Sequence, residues 1–183
     1  MARSRVNGET RQGMSPLDDS FFSRHATDVA PDLIGLVLIA GSIHIRLTEV
    51  EAYTSDDPAS HSFRGLTARN APMFGPAGRY YVYLIYGLHH CVNIVTGGVG
   101  DGQAVLLRGG VIDGVARSHT DGPGKLARPL GIDRSWNSRP VVVSVPTSRP
   151  YLDVNCTTRI GITKAVDVRR RWVVVGDRPT AAS

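Results

Sequence analysis

Several features that commonly identify a protein's setting are scarce in this sequence. There are only two cysteines, Cys91 and Cys156. They are too few for a secreted disulfide framework and lack the companions of a zinc site, so both are read as reduced core residues of a cytoplasmic protein. The longest apolar run, Leu33 to Ala40, includes a glycine and is far short of the roughly 20 residues that span a bilayer; no membrane segment is expected. The first fourteen residues are polar and charged with no hydrophobic stretch, which excludes a secretory signal and predicts a disordered tail over 1–14. Pro179 to Ser183 reads as a second tail. Acidic residues are missing from Pro58 to Gly100, and lysine supplies only Lys125 and Lys164.

The basic residues are therefore nearly all arginine. The 183 residues carry 21 Lys plus Arg against 16 Asp plus Glu, a net charge of +5. That length suits one domain, expected over 15–178 and large enough to bury about 70% of its unfolded surface without disulfides or metal. Arginine's planar fork binds phosphates bidentately and stacks on bases, although a GC-rich coding sequence also favours it. Position is more informative. Arg64, Arg69 and Arg79 occupy the acid-free stretch together with most of the tyrosines, a mixture that suits a nucleic-acid face. A second cluster, Arg159, Lys164 and Arg169 to Arg171, is offset locally only by Asp167.

The pattern of elements is mixed. Asp18, Asp19 and Ser20 can cap a short helix, and Thr27 a second that ends at Gly35. Val37 to Ala40 reads as a strand, and Ile43, Ile45 and Leu47 alternate with polar residues in a second strand. The same parity continues through Glu49, Glu51 and Tyr53. A buried face thus runs into two carboxylates, so either a bulge breaks the pattern or an acid is aimed into a cavity. Residues 54–79 form a long loop of the kind that is usually functional. Tyr80 to Tyr86 and His89 to Thr96 flank a glycine turn and predict a hairpin, with Tyr81 and Tyr83 on one face, Tyr80 and Val82 on the other, and Tyr86 at the tip. Gln103 to Leu107 reads as a strand ended by Arg108 and Gly109-Gly110. Gly122-Pro123-Gly124 can open a helix through Leu130, with Pro129 expected to kink or stop it. Val141 to Val145 and Trp172 to Val175 complete the strands. Without βαβ alternation the fold class is α+β.

Common motifs fail. Gly98 to Gly102 precedes a strand rather than opening a helix, and Gly124-Lys125 lacks the remainder of a phosphate loop. His61, His89 and His90 could suggest a metal, but adjacent strand residues point to opposite faces. No metal and no cofactor are expected.

Glu51-Ala-Tyr53, Ala59-Ser-His61-Ser, Arg64 to Asn70, Met73-Phe74, Tyr81 to Gly87, Cys91-Val-Asn93, Val105 to Arg108, Gly122 to Leu126 and Arg159 to Ile162 follow one another in an order that resembles the alkyladenine (3-methyladenine) DNA glycosylase family. The likeness covers about residues 16 to 175. It implies a single mixed domain with a curved antiparallel sheet, short helices and a protruding hairpin. It also implies a monofunctional enzyme that flips alkylated or deaminated purines, among them 3-methyladenine and hypoxanthine, out of duplex DNA and hydrolyses the N-glycosidic bond for base excision repair. By residue matching, Glu51 is the base that activates water, and Arg108 with the main-chain carbonyl of Ile160 holds that water. Tyr53, His61 and Tyr83 stack on the flipped base, Asn93 crowds the amino group of guanine, and Tyr86 enters the minor groove. His89 and His90 replace aromatic residues of vertebrate members, and the segment from Leu130 to Arg159 is shorter. The partner implied is duplex DNA containing a damaged purine, bound by a monomer. Two other readings use the same residues: a damaged-DNA binding module without chemistry, and a metal-dependent hydrolase using His61 with His89 or His90.

Overall fold

Runs of alternating apolar and polar residues build one antiparallel sheet, and most of the chain is arranged around it. The structure, a computed structural model, describes residues 15–148 and 151–176; the expected tails at 1–14 and 179–183 lie outside the described residues. In chain order the elements are β1 (Ser15–Pro16), α1 (Asp19–Phe22), α2 (Ala26–Leu33), β2 (Val37–Ala40), β3 (Ile43–Tyr53), β4 (Tyr80–Ile85), β5 (His89–Thr96), β6 (Gln103–Val111), α3 (Pro123–Leu130), β7 (Val142–Val145), β8 (Val154–Thr158) and β9 (Arg169–Val174). The nine strands run in the order β1-β7-β2-β3-β6-β5-β4, with β9 joining β3 to β8. One α+β domain results.

Two layers sandwich the sheet. Helices α2 and α3 pack on the face made by Ile45, Leu47, Val50, Val82, Ile94, Val105 and Leu107, all fully or nearly fully buried. Each such aliphatic side chain contributes about 1.5–3 kcal/mol by leaving water. On the opposite face Tyr81, Val95 and Ala104 pack with Met73, Phe74, Tyr53 and Tyr83 beneath the loop 54–79. The hairpin parity read from the sequence holds: Tyr80 and Val82 face the helices, Tyr81 and Tyr83 the loop.

The conflict of parity in β3 is resolved by a bulge. Leu47 pairs with Gly110 and Val50 with Leu107, but the register shifts on both sides of Glu49. Leu47 and Val50, three apart, therefore both enter the main core, while Glu49 and Glu51 turn to the other face. An extra residue in a ladder re-aims the side chains beyond it. The bulge lies where one edge of β3 passes from β2, paired through Arg46, to β9, paired from Glu49.

Helix α3 runs to Leu130 as expected, with Pro129 in its last turn and the left-handed Gly131 after it. Other expectations need correction. Helix α2 is capped by His25, whose Nδ1 accepts from the Thr27 amide, and ends at Leu33. Gly109-Gly110 does not end β6, which continues to Val111. A Cβ on Gly110 would sit 2.4 Å from Ile45 and 2.8 Å from the Arg46 carbonyl, so the glycine permits close strand approach rather than breaking the strand. Strand β8 had no sequence signal strong enough to predict it; Cys156 within it is only half-buried, whereas Cys91 is buried as expected.

Candidate active site

The face turned outward by the bulge borders a cavity of about 570 Å³ between the hairpin, the loop 54–79 and the segment Ile160 to Lys164. Tyr53, His61, Tyr83, Asn93, Arg108 and Tyr86 all line it. Residues 55 positions apart in sequence are thus brought to one place. Glu51 lies just behind this lining and is 0% exposed. Three donors reach its carboxylate. The Tyr53 hydroxyl donates to Oε2 at 2.8 Å, the Ile160 backbone N–H donates to Oε1 at 2.9 Å, and Arg108 Nη1 stands 3.4 Å from Oε1. Burial of an ionised carboxylate is tolerable only with such partners. The Tyr53 hydroxyl remains protonated, since burial and then the charge of Glu51 push its pKa well above the ordinary value.

The aromatic lining has distinct origins. Tyr83 and Tyr81 share one face of β4 because they are two residues apart. His61 comes from the loop, fixed there by Asn70, whose Nδ2 donates to the carbonyls of His61 (2.8 Å) and Gly65 (3.0 Å). The His61 and Tyr83 rings touch edge to face with centroids 4.5 Å apart. They form one continuous wall. His61 Nδ1 and the Tyr81 hydroxyl share a 2.8 Å hydrogen bond, and burial, assisted by the positive charge of Arg69, lowers the His61 pKa so that it is neutral at pH 7. Burial pushes the Tyr81 phenol up to about 12 and the Cys91 thiol above its ordinary value. Asn93 is buried, and its Nδ2 donates to the Tyr81 carbonyl at 2.9 Å, which fixes the amide at the cavity wall.

Tyr53 is supported from outside the cavity. The Arg159 guanidinium carbon lies 4.7 Å from the Tyr53 ring centroid, a cation–π contact. Arg159 also forms a fully buried pair with Asp57, with Nη2 donating to Oδ1 at 3.0 Å, and donates from Nη1 to the Ala52 carbonyl at 3.2 Å. These contacts hold Ile160 beside Glu51. Asp57, Asn70 and Arg159 were not predicted as parts of the site. Asn70 and Arg159 stood in the quoted motifs, but Asp57 carried no sequence signal.

Three arginines of that basic cluster are paired with acids, whereas Lys164 and Arg169 are exposed. Arg159 pairs with Asp57, Arg170 Nη1 lies 3.6 Å from Asp57, and Arg171 Nη1 lies 2.8 Å from Glu49. Acids distant in sequence neutralise arginines that looked unpaired locally. Lys164, two residues beyond the last quoted motif, stands exposed on the cavity rim. The hairpin tip agrees with the sequence reading: Tyr86 is 87% exposed and Leu88 76%. Tyr86 (φ 52°) and Gly87 (φ 68°), in the three-residue connection between the paired Ile85 and His89, both have positive φ, and a tyrosine pays steric strain there.

His89, His90 and His119 line a second groove of about 600 Å³ against α3. Lining one wide groove does not bring His89 and His90 into a single coordination shell. No three His, Cys, Asp or Glu side chains gather as a metal site among the described residues. No helix among them is long and apolar enough to cross a membrane.

Residues 20–178 match the family described as methylpurine-DNA glycosylase. Among curated proteins, one of Methanoculleus marisnigri named "Putative 3-methyladenine DNA glycosylase" is 44% identical, the match covering 88% of this chain and 96% of the relative. One of Rhodopseudomonas palustris strain HaA2 with the same name is 41% identical over 97% of this chain and 96% of its own. A third, from Streptomyces avermitilis, is 47% identical over 66% of this chain and 65% of its own.

Proposed function

The chain belongs to the methylpurine-DNA glycosylase family, and from that premise we propose that it extrudes alkylated or deaminated purines from duplex DNA and hydrolyses their N-glycosidic bond with a water activated by Glu51. It is an enzyme of the DNA-3-methyladenine glycosylase type, a hydrolase of N-glycosyl bonds. The observation that carries the mechanism is the fully buried Glu51 carboxylate held by Tyr53, Arg108 and Ile160 directly behind an aromatic cavity.

The chemistry suits these groups. Cleavage of the glycosidic bond develops positive charge on the sugar, which the Glu51 carboxylate stabilises while it takes a proton from the attacking water. In the substrate complex one of the present donors to Glu51 gives way to that water, and Arg108 with the Ile160 carbonyl holds it. The extruded base stacks between Tyr53 and the wall made by His61 and Tyr83. Stacking returns about 1–3 kcal/mol per aromatic contact against a flipping cost of a few kcal/mol. Because His61 is neutral, a cationic methylpurine meets electron-rich rings rather than a like charge. Asn93, immobilised by Tyr81, crowds the 2-amino group of guanine. Tyr86 fills the gap left in the duplex, an aromatic wedge entering from the minor groove.

The enzyme acts as a DNA-associated monomer without a metal or cofactor and leaves an abasic site. With water as nucleophile, it forms no covalent intermediate through Lys164. Single-turnover incubation with duplexes each bearing 3-methyladenine, 7-methylguanine, hypoxanthine or ethenoadenine, followed by alkali, should reveal strand breaks at one or more lesions. Binding without release from any duplex would support the non-catalytic module instead. Loss of activity in EDTA would support the metal-dependent hydrolase, and a borohydride-trapped adduct that disappears in Lys164→Gln would show lyase chemistry.

A further inference from the structure

A second carboxylate is buried beside Glu51 and has no part in the mechanism above. Glu49 is only 3% exposed. Its Oε1 accepts from Arg108 Nε at 3.0 Å and from Arg171 Nη1 at 2.8 Å. Arg108 therefore holds Glu49 more closely than it holds Glu51, from which its Nη1 is 3.4 Å away. A guanidinium facing one carboxylate normally forms a bidentate pair. Here its fork is divided between two.

We propose that Glu49 is a positioning residue that keeps the Arg108 guanidinium on itself and off the Glu51 carboxylate. The proposal rests on Glu51 acting as the base. The bulge is what makes the arrangement possible: with the register shifted on both sides of Glu49, its side chain emerges beside Arg108. Arg171, from β9, binds the same oxygen of Glu49, and Glu49 pairs with Val173 in the β3 to β9 ladder. The charges alternate in space from Arg171 through Glu49 and Arg108 to Glu51. Without Glu49, Arg108 closes on Glu51 and occupies the oxygens that must receive the proton of water. A base clasped in that way is weaker, and the arginine no longer reaches the water.

The other ionisable groups near Glu51 are placed on every side. Tyr53 is on its own strand, Arg159 with Asp57 lies behind Tyr53, and Arg170 reaches Asp57 from β9. Tyr83 and Cys91 approach from the hairpin, where Cys91 senses the charge of Arg108. None of these adds negative charge directly to Arg108, which is shared between Glu49 and Glu51.

The test compares single-turnover rates across pH for wild type, Glu49→Gln, Glu49→Asp, Arg171→Gln and Glu51→Gln. In Glu49→Gln the plateau rate should fall by about 100-fold with lesion affinity unchanged. The acid limb of its profile should move down by about one pH unit, because a negative neighbour is gone and a positive one has come closer. Glu49→Asp keeps the charge and should recover much of the rate and the normal limb. Arg171→Gln removes a competitor for Glu49 and should move the limb upward. A Glu49→Gln variant with the wild-type rate, or with lower activity but an unmoved limb, would overturn the proposal. If that variant does not fold, Arg171→Gln decides: an upward limb supports the proposal, and an unmoved or downward limb overturns it. An active Glu51→Gln would instead defeat the assignment of the base itself, whatever the Glu49 variants do.

Discussion

The hydroxyl of Tyr53 donates a 2.8 Å hydrogen bond to Glu51 two residues before it on the same strand. One side chain thus offers a ring to the cavity and a donor to the carboxylate behind it. The two contributions can be separated. Tyr53→Phe keeps the ring and should lower the rate of base release by about tenfold, as expected for a lost hydrogen bond to a charged group, while lesion affinity stays near wild type. Tyr53→Ala should reduce both. Glu51→Gln should reduce release by about a thousandfold and retain lesion binding; single-turnover assays alongside gel-shift titrations would check all three.

Asp57 and Arg159 form a buried pair that carries both the Tyr53 ring and the Ile160 backbone. Removing one member of such a pair leaves an uncompensated charge, at a cost of about 3–5 kcal/mol. Asp57→Asn should therefore unfold at clearly lower urea concentration with an unchanged m-value, measured by circular dichroism. Stability equal to wild type would show that the pair is not load sharing with the core.

Tyr86 is nearly fully exposed at the hairpin tip in a left-handed conformation. Tyr86→Ser should weaken lesion binding and slow release without loss of stability, since no core contact is removed. Binding by the wild type should fall linearly in log affinity against log salt, as phosphate contacts require. Fluorescence anisotropy at several salt concentrations would test this; a flat dependence would exclude a phosphate-tracking surface.

Burial lowers the His61 pKa below its ordinary 6.5, with Arg69 adding to the effect. The unfolded chain therefore takes up this proton more readily than the folded one. The contribution of neutral His61 to stability is complete above pH 6.5 and is lost as pH falls through the depressed folded value. His61→Gln should flatten that part of the stability profile, followed by urea titrations below pH 6.5. An unchanged slope would assign it to other groups.

Much of this organisation was legible from local pattern. Period-two alternation located the hairpin and the faces of its tyrosines, and the family resemblance named Glu51, Tyr53, His61, Tyr83, Asn93 and Arg108, of which all but Glu51 line one cavity while Glu51 is buried behind it. Strand periodicity is a property of neighbouring residues, so it survives in the sequence. The conflict at Glu49 and Glu51 was visible as well, but not its resolution, because a bulge depends on how the partner strand is paired. Gly109-Gly110 looked like a strand end for the same reason. Its necessity comes from Ile45, more than sixty positions away.

Charge shows the division most clearly. From the sequence alone came the excess of arginine over acid, its concentration around the tyrosine hairpin and the absence of long apolar spans. Tertiary structure decided which arginines remain available to a polyanion. Arg159, Arg170 and Arg171 are committed to Asp57 and Glu49, while Lys164 is brought to the cavity rim. Coulomb energy depends on distance in space and on burial, and neither can be read from position along the chain.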